Sequence, residues 1–328
     1  MTTLVTGSTG FLGSAILRQL LKKGHNVRAL VRQNSDRRNH DGLKVETVYG
    51  DLTDQASLLN ALKNCDSLFH AAADYRLWVP NPPEIYHHNV NGTRNLMTAA
   101  AQCGIKRIIY TSSVATLGIN KDESPADEIT PVSLDDMIGH YKRSKFLAER
   151  EVDKLVKKER LPVIIVNPST PVGPRDIKPT PTGRMILDAV TGKIPLYVNT
   201  GLNIVHVDDV AQGHLLAFDK GEIGERYILG GEDMSLHKIL FEISKITGNS
   251  PPRFQVPHNL ILPIAYIAQW LAGIMQGKDP LVTVDGVRLA KKKMYFSTAK
   301  AKRELGYNPR PAKEAIKDAV AWFLNWGK

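Results

Sequence analysis

The sequence predicts an α/β fold in which a doubly wound parallel sheet carries a smaller, mostly helical C-terminal lobe. Apolar strands alternate with helical stretches through the first half of the 328 residues, which is typical of a parallel sheet. The first strand runs into a glycine-rich turn and then at once into an amphipathic helix. Prolines cluster between Pro168 and Pro181, which indicates a loop-rich crossing into a second lobe.

The turn after the first strand has the pattern of a dinucleotide-binding loop, Gly7-Ser8-Thr9-Gly10-Phe11-Leu12-Gly13. Gly7 can adopt the backbone angles of a tight turn, Gly10 lets the backbone approach a pyrophosphate, and Gly13 lets the helix pack closely on the strand. The free amides and the positive end of the helix attract an anion. Because a strand precedes the loop and a helix follows it, we predict a Rossmann-type sheet.

Hydrophobic periodicity places the remaining elements of the first half. Strands are expected at about 3–6, 26–31, 44–49, 67–71, 106–112 and 162–167, and helices at about 11–23, 55–63, 84–103 and 138–159. The chain is then expected to return to the same sheet at 204–207 and 227–229. These elements divide the chain into a dinucleotide-binding domain at 1–168, with returning segments within about 203–230, and a substrate lobe at about 169–202 and 231–328.

A tyrosine and a lysine four residues apart, Tyr141 and Lys145, lie in a segment rich in helix-forming residues. Residues with this spacing share a helix face, so the phenol and the ammonium can reach the same site. The nearby cation is expected to lower the pKa of the tyrosine. Ser112 and Ser113 end the fifth predicted strand, where side chains line the ligand crevice of an open α/β sheet. A hydroxyl there can hold a carbonyl oxygen while the tyrosine transfers the proton.

Taken in order, these motifs resemble those of the extended short-chain dehydrogenases/reductases, the NAD-dependent epimerase/dehydratase superfamily. The resemblance covers essentially the whole chain and rests on segments 6–13, 50–52, 70–73, 89–93, 112–113, 141–145, 167–169, 205–209 and 302–307. Segments 73–78 and 139–145 are most similar to the dihydroflavonol-reductase-like branch, and within it to the hopanoid-associated sugar epimerase group. A shared fold does not by itself fix the substrate.

The resemblance implies a role for each catalytic residue. Tyr141 acts as acid or base, Lys145 lowers its pKa and holds the nicotinamide ribose, and Ser113 hydrogen-bonds the substrate oxygen. Ser113 is preferred to Ser112 because it aligns with the catalytic hydroxyl of the family. The implied cofactor contacts are Gly7, Thr9, Gly10, Phe11, Leu12, Gly13, Asp51, Leu52, Ala71, Ala72, Ala73, Asn89, Tyr141, Lys145, Pro168 and Ser169.

The residue that follows the second strand bears on the choice of cofactor. Folds that prefer NAD usually place Asp or Glu there, where the carboxylate accepts hydrogen bonds from the ribose hydroxyls. This chain has Arg32, whose guanidinium can hold a 2′-phosphate in bidentate fashion. We therefore predict NADP(H) as the preferred cofactor, with NAD(H) as the alternative.

Two enzymatic outcomes share these residues. A reductase interconverts a carbonyl and a secondary alcohol, whereas a nucleotide-sugar epimerase retains its cofactor and returns the hydride to the other face of the sugar. Nucleotide-sugar members commonly carry an arginine for the diphosphate where this chain has Leu202, which favours a reductase or dehydrogenase. A non-catalytic cofactor sensor or scaffold is the third alternative, and the intact set of Ser113, Tyr141 and Lys145 argues against it.

The partner is predicted to be a small molecule, lipid-like or sugar-derived. Segment 74–83 follows the fourth strand and is expected at the rim of the crevice. There Tyr75, Arg76 and Trp78 would offer an aromatic wall and a donor to an anion or a carbonyl. Packing of this loop under the second lobe explains Trp78 equally well. A homodimer is left open.

Charge, cysteine usage and histidine spacing argue against several other classes of protein. The formal net charge is +10, but the basic clusters 37–38 and 291–293 lie far apart without interleaved aromatic residues, so no nucleic-acid partner is predicted. His87 and His88 lack a third ligand at metal spacing, so no metal site is predicted. Only two cysteines and a first strand at about residue 3 indicate a cytoplasmic enzyme.

The most apolar stretch of the second lobe is 256–273. Prolines and polar residues interrupt it, and a membrane span needs about 20 continuous apolar residues. Apolar residues recur on one helix face, which predicts a helix buried in the small domain: Ile264, Ile267, Ala268 and Leu271. The alternative is a helix that lines an apolar substrate cavity or touches a membrane surface.

Overall fold

A computed structural model of the chain describes residues 1–274, 280 and 282–325. Its strands are β1 (Thr2–Thr6), β2 (Asn26–Val31), β3 (Glu46–Tyr49), β4 (Ser67–His70), β5 (Arg107–Thr111), β6 (Val163–Pro168), β7 (Thr170–Val172), β8 (Leu196–Tyr197), β9 (Gly201–His206), β10 (Arg226–Leu229), β11 (Glu232–Ser235), β12 (Phe254–Gln255) and β13 (Lys293–Met294). Its helices are α1 (Phe11–Lys22), α2 (Gln55–Leu62), α3 (Pro82–Tyr86), α4 (Gly92–Gln102), α5 (Gly139–Glu159), α6 (Pro181–Val190), α7 (Val207–Lys220), α8 (Leu236–Thr247), α9 (His258–Ile274), α10 (Val284–Ala290), α11 (Ala299–Leu305) and α12 (Ala312–Leu324).

The large sheet has seven strands in the order β10-β6-β5-β4-β1-β2-β3. Every neighbouring pair is parallel. The chain winds outward from β1 in one direction and from β4 in the other, so the order reverses between these two strands. Ligands of open α/β sheets bind beyond the carboxyl ends of the strands at such a reversal. The predicted doubly wound parallel sheet with a mostly helical C-terminal region is confirmed.

The helix predicted at 84–103 contains a local change of winding. α3 and α4 are joined by a π-helical turn at His87–Asn91. A π turn adds a residue to the helical repeat, and such turns often occur at functional sites. Here Asn89 lies within the turn and is buried.

One predicted strand joins a different sheet. The segment 204–207 was expected in the large sheet, and that prediction is wrong: β9 pairs with β11, β7 and β13 in a separate four-stranded sheet. The other returning segment, β10, pairs with β6 at the edge of the large sheet as predicted. An apolar run identifies a strand, but its partner is chosen by packing across the whole fold.

The three largest buried cores of the described residues account for the layers. α1 and α7 pack on one face of the large sheet, with Ile16 and Leu215 in one core. α2, α4 and α5 cover the other face, with Leu96 in the second core. A third core joins α6, α8 and α12 beside the smaller sheet and includes Ile243 and Ile316. We propose on this basis that the nucleotide-binding part and the substrate lobe separate near residue 168, with α7 and β10 belonging to the former.

The long apolar helix of the second lobe is α9. Ala265 is its one buried residue among those described, and Ile264, Ile267 and Leu271 are exposed. The prediction that this face is buried in the small domain is therefore wrong. The opposite face of α9 packs on α10 instead. The sequence could not show this, because hydrophobic periodicity indicates that a helix has an apolar face but not what covers that face. Within residues 1–274 and 282–325, no helix is long and apolar enough to cross a membrane.

Candidate active site

Two glycines of the loop between β1 and α1 are required by the backbone itself. Gly7 has a φ of +72°, and a Cβ there would lie 2.6 Å from the Ala72 nitrogen. A Cβ on Gly13 would lie 2.1 Å from the Gly7 carbonyl oxygen. Gly10 is different, because a Cβ there would lie 3.3 Å from the Gly7 carbonyl oxygen, which is a tight contact rather than a severe clash. The protein therefore needs Gly10 less than Gly7 or Gly13, which fits a position kept small for an approaching ligand.

The start of α1 has the features of an anion site. Gly10 is the N-cap, no side chain caps the helix, and the first turn holds no acidic residue. The Ser8 hydroxyl is buried and has no hydrogen-bond partner among the described residues. The first amides of a helix lack intrahelical acceptors, so an uncapped start leaves donors for a ligand. A dinucleotide pyrophosphate fits this arrangement of amides and hydroxyl.

The ends of β4 and β6 complete the floor of the crevice. The Ala71 amide donates to the Thr6 carbonyl oxygen at 3.2 Å, which holds the alanine segment 71–73 beside Gly7. Pro168 ends β6, and the Ser169 amide donates to the Leu229 carbonyl oxygen at 3.2 Å. The Ser169 hydroxyl is buried without a described partner. Small side chains and an unpaired hydroxyl thus border the place where the sequence predicts the cofactor.

Ser113, Tyr141 and Lys145 meet just beyond the carboxyl end of β5. The Tyr141 and Ser113 side chains lie close enough for Ser113 to act on the pKa of Tyr141. Lys145 lies one helical turn further along α5 and is buried. Its Nζ donates to the Thr111 carbonyl oxygen at 2.9 Å and to the Tyr110 hydroxyl at 3.4 Å. The structure thus brings all three predicted catalytic residues together.

Burial dominates the electrostatics of these groups. Burial raises the pKa of Tyr141, and the nearby Ser113 side chain offsets this only in part. Burial also lowers the pKa of Lys145 to about 8, against the opposing effect of Glu149. The expectation that the pKa of Tyr141 is lowered is therefore wrong for the chain by itself, because the effect of burial is larger. A protonated phenol at neutral pH is the form that a general acid needs.

A row of buried polar side chains lies behind Lys145, and the sequence reasoning did not assign it. Thr6, His70 and Tyr110 are register neighbours on β1, β4 and β5. The His70 Nδ1 is 2.7 Å from the Thr6 hydroxyl, and its Nε2 is 3.1 Å from the Thr93 hydroxyl. Burial lowers the pKa of His70 to about 3, so the ring is neutral. The signal was present, because each residue is a polar side chain at the end of an apolar strand.

Arg32 follows β2 directly and is exposed. Its guanidinium makes no hydrogen bond or ion pair within the described part of the chain. The neighbouring arginines are engaged: Arg37 donates to the Tyr49 hydroxyl at 3.0 Å, and Arg38 pairs with Asp36 at 2.7 Å. Arg32 is also close enough to Asp51 to act on its pKa. Of these three arginines, Arg32 is the one available to a phosphate.

Asn89 is held by the protein chain. Its Oδ1 accepts from the Asp74 amide at 2.7 Å. Its Nδ2 donates to the Asp74 carbonyl oxygen at 2.8 Å and to the Ser144 hydroxyl at 2.9 Å. These contacts tie the loop after β4 to the helix that carries Tyr141, which favours a positioning role over direct contact with a cofactor.

A protein-family model described as the NAD dependent epimerase/dehydratase family matches residues 3–230. The chain belongs to this family. The match includes the glycine loop, the Ser113 turn and the helix with Tyr141 and Lys145, so the resemblance drawn from the motifs is confirmed. Members are NAD(P)-dependent enzymes of the extended short-chain dehydrogenase/reductase type.

Individual family members are similar along the whole length. The crystal structure of gox2253 has 55% sequence identity and a TM-score of 0.90, and the alignment covers 99% of this chain and 98% of that one. A Synechocystis protein named "Putative dihydroflavonol 4-reductase" is 45% identical over 98% of this chain and 94% of its own. Sterol demethylase protein B of Methylococcus capsulatus is 38% identical over 100% of this chain and 99% of its own. The similarity to the dihydroflavonol-reductase-like branch is thereby confirmed.

The three substrate-side candidates of this family member lie in the loop after β4. Tyr75 is exposed and Trp78 is half-buried. Arg76 pairs with Asp74 at 2.6 Å and with Glu84 at 3.3 Å. Two carboxylates therefore already occupy the guanidinium, which makes Arg76 a weaker candidate for an anion donor than the sequence suggests.

Lys142, beside Tyr141, is a buried cation that the sequence reasoning passed over. It is 8% exposed, and its Nζ contacts the thioether sulfur of Met294 at 3.7 Å. Burial lowers the pKa of Lys142 to about 8, and Lys292 adds to the effect. No carboxylate pairs with this ammonium among the described residues. A buried charge without a counter-charge costs stability.

The Lys142→Met variant of this enzyme is expected to be more stable by about 2 kcal/mol near neutral pH. The pKa of Lys142 is lower in the folded chain, so the penalty is present below pH of about 8 and disappears as the pH approaches the ordinary lysine value of 10.5. Urea unfolding at a series of pH values would measure this. Lys154→Met, at an exposed position on the same helix, is the control. A loss of stability in Lys142→Met would contradict the assignment.

Proposed function

We propose that the protein is an NADP(H)-dependent oxidoreductase that interconverts a carbonyl and a secondary alcohol. The close approach of Ser113 to Tyr141, with Lys145 one helical turn away, carries this proposal. A bound nicotinamide would supply or accept the hydride. In the reducing direction Tyr141 donates its phenolic proton to the substrate oxygen, which Ser113 holds by a hydrogen bond. In the oxidising direction the phenolate takes that proton back.

The cofactor would lie across the carboxyl ends of β1, β2 and β4. The uncapped start of α1 would hold the pyrophosphate, and Asp51 and Leu52 would flank the adenine. Lys145 would hold the nicotinamide ribose, with its ammonium positioned by Thr111 and the Tyr110 hydroxyl. Ala71, Ala72 and Ala73 would pass beneath the cofactor without clashing.

The surroundings of Leu202 support a reductase over a nucleotide-sugar epimerase. Leu202 on β9 is in register with Met234 on β11 and Met294 on β13. Neither methionine can neutralise a diphosphate, and Met234 is buried. The Lys142 ammonium contacts Met294 at 3.7 Å, but Lys142 is itself buried. An apolar row at this position suits an apolar carbonyl compound better than a sugar nucleotide. The reductase name of the Synechocystis relative agrees with this choice.

Incubation of the protein with NADPH or NADH and a panel of ketones, aldehydes and nucleotide sugars tests the proposal. We expect carbonyl-dependent loss of NADPH absorbance. Interconversion of sugars without net loss of NADPH would indicate the epimerase instead. Cofactor binding without turnover of any compound would favour the sensor or scaffold.

Replacing Arg32 by serine is expected to raise the Kd for NADPH by about tenfold to a hundredfold, since a charge-assisted phosphate contact is lost. The Kd for NADH should change little, because NADH lacks the 2′-phosphate. Fluorescence titration of both nucleotides would measure the two constants. Arg38→Ser is the matched control, since Asp36 already occupies that guanidinium. Equal weakening of both nucleotides by Arg32→Ser would contradict the role of Arg32.

A further inference from the structure

α9 presents a stripe of apolar side chains to the outside of the protein. These residues are spaced four and three apart and lie on one helix face, which we name the α9 stripe: Leu260, Ile264, Ile267, Leu271 and Ile274. Tyr266 and Trp270 flank it, and all seven side chains are between 44% and 66% exposed. The 17 residues of α9 include no acidic and no lysine or arginine side chain.

The opposite face of α9 already anchors the helix. Ile261, Leu262 and Ala265 pack with valines 282, 284 and 287 at α10. The Gln269 side-chain oxygen accepts a hydrogen bond from the Val284 amide at 2.8 Å. The helix is therefore held without using the α9 stripe. A contiguous exposed apolar patch of this kind marks an interaction site.

Basic side chains border the stripe on the side of α10. Arg288 and Lys291 are exposed, and we name them the basic rim. The Arg288 guanidinium is 3.4 Å from the Tyr266 hydroxyl, and Lys291 Nζ is 3.4 Å from Asn259 Oδ1. Asp285 approaches Arg288 at 3.7 Å in an exposed pair, which offsets little of the charge.

We propose that the α9 stripe and the basic rim dock the protein on the surface of a bilayer that contains anionic phospholipids. The apolar side chains would enter the interfacial layer while the basic rim meets the negative headgroups. Trp270 and Tyr266 suit the depth of the headgroups. Among the described residues no helix is long and apolar enough to cross a bilayer, so α9 would lie in its surface.

Charge favours a bilayer over a second copy of the chain. In a symmetric dimer each copy uses the same patch, so the two basic rims would approach one another. Like charges brought together at an interface oppose association. The chain as a whole carries a formal net charge of +10, which also favours an anionic surface.

The docking surface is linked to the candidate active site through α10. A Cβ on Gly139 would lie 3.1 Å from Asp285 Oδ2, so α10 touches the start of α5 two residues before Tyr141. Docking would bring the Tyr141 end of α5 towards the lipid phase, which suits a membrane-soluble carbonyl substrate. This last step rests on the proposed function, whereas docking itself does not.

Co-sedimentation of the full chain with vesicles tests the proposal. We expect binding to phosphatidylglycerol/phosphatidylcholine vesicles at low salt, weaker binding at high salt, and little binding to phosphatidylcholine alone. Ile267→Glu or Trp270→Glu should lower the partition coefficient about tenfold, and Arg288→Gln or Lys291→Gln about fivefold. Ile129→Glu and Lys106→Gln are matched controls at exposed positions outside α9 and α10 and should bind like the unaltered chain.

Three results would overturn docking. One is no binding of the folded protein to the anionic vesicles at low salt. Another is an equal loss of binding in Ile129→Glu. The third is a dimer, seen by analytical ultracentrifugation, that Trp270→Glu splits, since the stripe would then join two copies. Turnover of a water-soluble ketone by the docking variants separates the two proposals: retained turnover without docking leaves the proposed function intact, and docking without turnover leaves the docking surface intact.

Discussion

Replacing Tyr141 by phenylalanine is expected to lower turnover more than ~10²-fold while the protein keeps its fold and its cofactor. The substitution removes one hydroxyl and leaves the ring, so packing at the start of α5 is preserved. Ser113 loses the Tyr141 hydroxyl but keeps a second contact, because its Oγ accepts from the Ala115 amide at 3.1 Å. Lys145 remains bound to the Thr111 carbonyl oxygen. The variant therefore removes the proton donor and little else.

Three measurements distinguish a loss of proton transfer in Tyr141→Phe from a loss of cofactor binding or of stability. Steady-state oxidation of NADPH with an accepted carbonyl compound reports turnover, fluorescence titration reports the Kd for NADPH, and thermal unfolding reports stability. Tyr197→Phe is the matched control, since Tyr197 packs beside His237 in the substrate lobe. Near-normal turnover in Tyr141→Phe would exclude this residue as the acid, and a large rise in Kd would show that it holds the cofactor instead.

The elements of the large sheet could be predicted because their signals are local. The strands up to β6 are apolar runs bounded by turn residues, and the glycine loop lies directly between β1 and α1. A helix repeat predicts that Tyr141 and Lys145 share a face, and a strand end places the Ser112-Ser113 pair in the crevice. The choice of Ser113 within that pair came from the family resemblance. Each of these predictions depends on a few neighbouring residues rather than on the whole fold.

The features that sequence reasoning missed depend on contacts between distant segments. β9 is apolar like the strands of the large sheet, but it pairs with β7, β11 and β13. α9 has the repeat of a buried helix, yet nothing in the repeat tells which face meets α10. The pKa of Tyr141 follows from burial under several elements. Lys142 has no sequence signal that distinguishes it from an exposed helix lysine, and its contact with Met294 depends on the packing of a distant segment.

The second large effect is expected from Gly13→Ala. The new Cβ would lie 2.1 Å from the oxygen and 2.5 Å from the carbon of the Gly7 carbonyl group. These are backbone atoms, so the clash is relieved only by moving α1 away from β1. α1 packs against α7 through a buried core that includes Ile16 and Leu20, and that core resists the shift. We expect a loss of stability of about 3 kcal/mol, as for an overpacked core.

The same displacement should abolish nucleotide binding, because the amides at the start of α1 leave the positions where a pyrophosphate would lie. Urea unfolding and NADPH titration measure the two effects on one preparation. Gly273→Ala is the matched control: it places the same methyl group on a helical glycine with no atom within 4 Å, and alanine favours a helix. Near-normal stability together with NADPH binding in Gly13→Ala would show that α1 can move without cost. The close packing of helix on strand would then not explain the glycine.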